Sequence, residues 1–136
     1  MTDLVVDTSA AVAILSREPG ADDLASALEG ADRRTMSSAT LVELGIVLEA
    51  RHGPAGRGIA ERFVRDADID VVPLDRDGAE LAIDGWRRFG RGRHRAALNF
   101  GDCFTYSLAI GTSSPVLCNG EDFAATDLAV VRPSMP

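Results

Sequence analysis

Two rhythms of apolar and polar positions run along the chain. Short β-type runs fall at residues 4–7 (LVVD), 35–37 (TMS), 69–74 (IDVVPL), 115–118 (PVLC) and 129–131 (AVV), and turn-prone residues bound most of them. Between them lie segments with helical spacing, at 10–15, 21–28, 39–51, 57–65, 77–89 and 99–110. Pro19-Gly20, Gly30, His52-Gly53-Pro54 and the loop 90–92 stop four of these helices, and Asp75 is placed to cap the fifth. Strands alternating with helices, some crossovers carrying two, predict an α/β protein with a mainly parallel sheet and helices on both faces.

At 136 residues the chain reads as one domain, 1–136. Its 46% hydrophobic and 26% charged residues are ordinary for a globular protein, and only the closing RPSMP reads as disordered. The N-terminus is acidic where a signal peptide is basic, and no apolar run approaches the ~20 residues that span a bilayer. Cys103 and Cys118 form neither a CxxC nor a Cys/His cluster and read as buried free thiols. These features predict a soluble, cytoplasmic protein without a membrane partner.

Charge changes the picture more. The net charge of −7 argues against binding nucleic acid through the whole surface. All 14 basic residues are arginine, and RRFGRGRHR, residues 87–95, concentrates five of them. That stretch reads either as a solvated helix end and loop or as a phosphate-contacting patch. In the second reading Arg87, Arg91, Arg93 and Arg95 meet a nucleic-acid strand beside Trp86 or Phe89.

In an open parallel sheet, ligands bind at the carboxyl ends of the strands. That rule gathers four scattered acids at one edge. Asp7 closes the first strand, and Glu43 lies a turn into the helix after the second, among Leu41, Val42, Leu44, Ile46 and Val47. Asp102 falls in the first turn of a helix that returns along the sheet, and Asp122 follows residues 116–118 after a short loop. Clustered carboxylates raise one another's pKa unless a positive charge sits among them. With no lysine in the chain, a divalent cation is the candidate. Carboxylate oxygens suit Mg²⁺ or Mn²⁺, which take one or two direct carboxylates and fill the remaining positions with water and phosphate oxygens. Such a centre hydrolyses phosphate esters with a metal-activated water.

Each acid also has an architectural account. Asp7 could open a turn or cap a helix, Asp122 could be an ordinary turn acid with Asp127 as its rival, and Asp102 could serve the helix dipole behind an Asn99 N-cap, worth ~0.3–1 kcal/mol. Glu43 resists such an account, because an unpaired charge on an apolar helix is costly.

Four segments in order, LVVDTSAAVAIL, SSATLVELGIVLEAR, GRGRHRAALNFGDCFTYSLA and PVLCNGEDFAATDL, resemble those of PIN-domain ribonucleases, in particular the VapC toxins of bacterial toxin-antitoxin pairs. The resemblance covers nearly the whole chain. It implies a three-layer α/β/α domain whose Mg²⁺ or Mn²⁺ site cuts single-stranded regions of structured RNA, usually transfer or ribosomal, leaving a 5′-phosphate and a 3′-hydroxyl. By that resemblance Asp7, Glu43 and Asp102 are the first three acidic positions, with Asp7 and Asp102 on the metal. Asp122 is the fourth and Asp127 the alternative; Thr8, Ser9 and Asn99 support the metal site. The resemblance further implies a homodimer and a VapB-type antitoxin that lays a peptide, commonly with a basic side chain, into the cleft of a larger complex.

Rival readings fit less well. Receiver-type signalling domains and haloacid-dehalogenase-type phosphatases ordinarily use a lysine, and the latter want an aspartate where Ser9 stands. A DNA-directed nuclease of the same chemistry stays open. So does a catalytically silent module of this fold that holds RNA or a peptide, and metal-dependent turnover separates it from an enzyme.

Overall fold

The computed structural model describes residues 3–133; Met1, Thr2 and residues 134–136 of the closing RPSMP lie outside them. In chain order the elements are β1 (Asp3–Val6), α1 (Thr8–Leu15), α2 (Ala21–Gly30), β2 (Arg33–Ser37), α3 (Ser38–His52), a 3-10 turn (Gly53–Ala55), α4 (Gly56–Asp66), β3 (Asp70–Val72), α5 (Arg76–Phe89), α6 (Phe100–Thr112), β4 (Val116–Leu117) and β5 (Val130–Val131). The sheet order is β3-β2-β1-β4-β5, and every pairing is parallel.

Alternation along β1 builds two cores. Leu4 and Val6 pack with residues of α1 to α4 on one face, whereas Val5 packs with Ala82, Phe89, Tyr106 and Ala109 of α5 and α6 on the other. Val116 and Leu117 divide between the same two clusters, so the domain is a three-layer α/β/α sandwich. On the second face α5 and α6 approach closely at Gly85, where a Cβ would run into the Tyr106 ring. That contact explains a glycine in a helix interior, which alone costs about 1 kcal/mol relative to alanine.

Helix starts follow local chemistry. Asp7, Ser37, Asp75 and Asn99 each accept a backbone N–H in the first turn of the helix that follows. Four strands differ from their expected lengths, β5 by keeping only Val130 and Val131 of 129–131. β2 begins two residues early because Arg33 and Arg34 pair in register with Asp3 and Leu4, and the Arg34 guanidinium donates to the carbonyl of Ala67 at 2.7 Å. β3 stops before Pro73, which has no N–H for a ladder, and β4 keeps only Val116 and Leu117 of PVLC. Both cysteines are free and buried. Among the described residues no helix is long and apolar enough to cross a membrane.

Candidate active site

The chain leaves β1 for β2 on one side and later returns to β4 on the other, so the strand order switches at the carboxyl end of β1. Asp7 stands there, buried. Its Oδ2 accepts from Ser9 N at 3.0 Å and from Ser9 Oγ at 2.6 Å, and its Oδ1 accepts from Thr105 Oγ1 at 2.6 Å. Ser9 Oγ also accepts from Asn119 N at 3.0 Å, which ties Asp7 to the loop after β4. Thr105 is fully buried on α6, with its hydroxyl 3.4 Å from that of Thr40 on α3.

Glu43 projects from α3 and is half-buried, with Oε1 accepting from Thr8 Oγ1. Its apolar neighbours Val42 and Ile46 are more than 60% exposed, so part of this apolar helix faces solvent, and a hydroxyl donor holds the Glu43 carboxylate. The first turn of α6 comes so near that a Cβ on Gly101 would collide with the Glu43 carboxylate. Any larger residue there would have to push the Glu43 carboxylate aside.

Asp102 is buried at the third position of α6. It forms a reciprocal capping box with Asn99: Asp102 N donates to Asn99 Oδ1 at 2.9 Å, and Asn99 N donates to Asp102 Oδ2 at 3.0 Å. Burial pushes its carboxyl from the ordinary 3.8 up to about 7, against the lowering effect of the Asn99 N–H; the charges of Asp7 and Asp122 add to the rise, as does a hydrogen bond with Asp122. Cys118, also against the acids, is pushed up to about 12, chiefly by burial.

Asp7, Glu43, Asp102 and Asp122 line one open cavity of about 350 Å³, together with Thr8, Ser9 and Asn99. Asp127 lies elsewhere, with Oδ2 3.2 Å from Arg88 Nη1. Arg87, Arg91, Arg93 and Arg95 do not line this cavity. Arg87 pairs with Asp84 at 3.6 Å, Arg93 stacks on Trp86 at 4.8 Å from the ring centre, and Arg91 and Arg95 are exposed.

Gly101, Thr105, Asn119 and Arg51 belong to this neighbourhood but were not singled out in the sequence. A glycine in the first turn of a helix was a usable signal for Gly101; nothing local marks the other three. The donor set is hard oxygen, suited to Mg²⁺ or Mn²⁺. Among the described residues no three His, Cys, Asp or Glu side chains converge tightly enough to enclose an ion alone.

The sequence matches the PIN domain family over residues 4–128. The chain belongs to the PIN-domain family. Over 128 residues this PIN domain is 44% identical to Ribonuclease VapC30 of Mycobacterium tuberculosis, covering 94% of this chain and 98% of that protein. It is 45% identical over 129 residues to Ribonuclease VapC of Mycolicibacterium smegmatis, covering 95% and 100%. These relatives place the PIN domain among the VapC ribonucleases. The crystal structure of Mycobacterium tuberculosis VapC20, a sarcin-ricin loop cleaving toxin, superposes with a TM-score of 0.77 at 21% identity, covering 96% of this chain and 99% of that one. That likeness bears on the fold alone, and the α/β/α architecture expected of a PIN domain is the one found.

Proposed function

We propose that this PIN domain is a metal-dependent endoribonuclease and the toxin of a VapBC-type pair, at work in the cytoplasm. The carrying observation is the pocket: four carboxylates from distant parts of the chain meet at the sheet's switch point without a lysine, and one of them is pushed up to about 7. Asp7 and Asp102 are the residues to hold Mg²⁺ or Mn²⁺. When bound, the ion supplies a nucleophilic water at neutral pH and offsets charge on the phosphate.

The chain's own groups do the rest. Ser9 and Thr105 fix both oxygens of Asp7, and the Asn99 capping box fixes Asp102. Glu43, steadied at Oε1 by Thr8, accepts the proton of the attacking water at Oε2. Asp122 completes the acidic set. Attack by water leaves a 5′-phosphate and a 3′-hydroxyl. Arg87, Arg91, Arg93 and Arg95 form an accessory surface for the RNA backbone.

Structured RNA as substrate class draws support from the likeness to VapC20, a sarcin-ricin loop cleaving toxin. A VapB-type antitoxin draws support from the likeness to VapBC-5 of Mycobacterium tuberculosis, with a TM-score of 0.68 at 23% identity, covering 97% of this chain and 99% of that one. A basic antitoxin side chain in the acidic pocket, and a second copy of the chain, complete the assembly we propose.

The test is cleavage of total RNA by antitoxin-free protein with Mg²⁺ or Mn²⁺ against excess EDTA, Asp102→Asn as control, and fragment ends mapped. Discrete, metal-dependent cuts with 5′-phosphates support the reading. Absence of metal-dependent cutting by folded protein returns the domain to a silent RNA- or peptide-binding module.

A further inference from the structure

Among the described residues that line the acidic pocket, five are carboxylates, Asp7, Glu18, Glu43, Asp102 and Asp122, and one is a cation, Arg51. Glu43, Val47 and Arg51 stand at i, i+4 and i+8 on α3, and all three line the pocket. At 1.5 Å per residue, Arg51 is therefore about 12 Å beyond Glu43 along the helix axis.

Its present partners hold it loosely. Arg51 Nη1 is 3.8 Å from Glu18 Oε2 and 3.5 Å from Ser16 Oγ, each at the outer limit of its kind of contact. The two charged side chains are 49% and 37% exposed, and pairs of that sort contribute ~0–1 kcal/mol. A guanidinium offers five N–H donors in a planar fork that matches a phosphate, so most of its binding capacity is unspent. An architectural rival exists, because Arg51 lies in the last turn of α3, where a cation favours the helix dipole.

We propose that Arg51 binds a phosphate flanking the one that is cleaved, so that the RNA strand lies along α3 from Glu43 toward Arg51, and that Glu18 holds Arg51 until the RNA displaces it. The proposal rests on the ribonuclease reading of the pocket. At ~3.4 Å per nucleotide, the rise of a B-form strand and an upper value for stacked RNA, the gripped phosphate lies roughly four nucleotides from the cut. The pocket then has one cationic end for the polyanion, and its acids are left to the metal.

The experiment measures two quantities on wild type, Arg51→Ala, Arg51→Lys and Glu18→Gln. One is Mn²⁺-dependent cleavage of total RNA, resolved into kcat and KM. The other is equilibrium binding of a fluorescein-labelled mixed-sequence 20-nucleotide RNA in EDTA, from 50 to 200 mM salt. Arg51→Ala should raise KM about tenfold, the usual scale for losing a charged hydrogen bond, with kcat within about twofold. It should also flatten the salt slope by about 0.7, one phosphate contact on a single strand. Arg51→Lys should restore the slope and part of the KM, and Glu18→Gln should lower KM. An Arg51→Ala protein with an unchanged KM and salt slope, whatever its melting temperature, returns Arg51 to the helix-dipole role and overturns the proposal while the ribonuclease reading stands. Wild type that neither cuts nor binds RNA overturns both.

Discussion

The acidic pocket and the arginine-rich connector between α5 and α6 both crowd like charges together, and they settle them in opposite ways. In the connector and its flanks most of the charges are answered on the spot, Arg87 by Asp84, Arg88 by Asp127 and the Phe89 ring, Arg93 by Trp86 and the Arg87 carbonyl, while Arg91 and Arg95 are exposed. In the pocket, Asp7, Glu43 and Asp102 are oriented by hydroxyls and backbone N–H groups, which fix direction without cancelling charge. Burial, with the unanswered repulsion of Asp7 and Asp122 added to it, raises the Asp102 carboxyl to about 7. Charge neutralised within the chain serves architecture; charge aimed but left uncancelled awaits a ligand.

The largest effects should come from breaking the pocket. Asp7→Asn, Glu43→Gln and Asp102→Asn keep size and one acceptor oxygen while removing the charge, so each should lose at least about 100-fold in kcat/KM, the scale of removing an acid-base or metal-holding group, while circular dichroism stays that of wild type. Three folded variants that all cleave at nearly the wild-type rate would falsify the site.

Metal-free stability sharpens the contrast. Asp102 ionises near 3.8 when unfolded and at about 7 when folded, so between those values the folded state binds the extra proton. This group's stabilising contribution is complete below pH 4, declines through the window from 4 to 7, and is gone above it. The span is roughly 4 kcal/mol at 1.36 kcal/mol per unit. Chemical unfolding in EDTA should therefore find Asp102→Asn more stable than wild type at pH 8, with the gap closing toward pH 4. Mn²⁺ at pH 8 should raise the melting temperature of wild type more than that of the variant. Parallel stability curves for the two proteins would show that burying the Asp102 carboxylate among the other acids carries no such cost.

The pocket acids were legible because Asp7 follows a strand, Asp102 lies in the first turn of a helix, Glu43 lies one turn into another and Asp122 lies in the loop after β4, and parallel-sheet topology sends such positions to one edge. Their supports were not. Thr105 lies 98 residues from the carboxylate it holds, and Gly101 matters only once α6 is pressed against α3. Asp122 and Asp127 look alike in the sequence; the fold separates them by bringing Arg88, 39 residues upstream, to Asp127. Strand existence followed from apolar runs, whereas the length of β2 depended on register with β1, which local pattern does not contain.

Gly101→Ala tests the close approach directly. The added methyl falls on the Glu43 carboxylate, so either Glu43 swings from Thr8 or α6 lifts, at about 1–3 kcal/mol for an overpacked site. Helix propensity alone predicts the opposite sign, a gain of about 1 kcal/mol. An unfolding midpoint that rises, with cleavage intact, would show that the two elements have room to spare.

The smallest effects should lie where charge is already answered. Asp127→Asn removes an exposed partner of Arg88 and should cost no more than about 1 kcal/mol, with cleavage nearly unchanged. Asp122→Asn, inside the pocket, should slow cleavage more than it changes stability. Replacing Arg91, Arg93 and Arg95 together by Ala is the companion test on the basic side. If these arginines reach RNA phosphates, the salt slope of binding flattens by up to about 2, at 0.7 per contact on a single strand. Arg88→Ala, whose charge Asp127 already answers, should leave that slope alone. Asp127→Asn slowing cleavage more than Asp122→Asn, or a slope that follows Arg88 and not the triple variant, would reverse the assignment of which charges are architectural and which are held for a ligand.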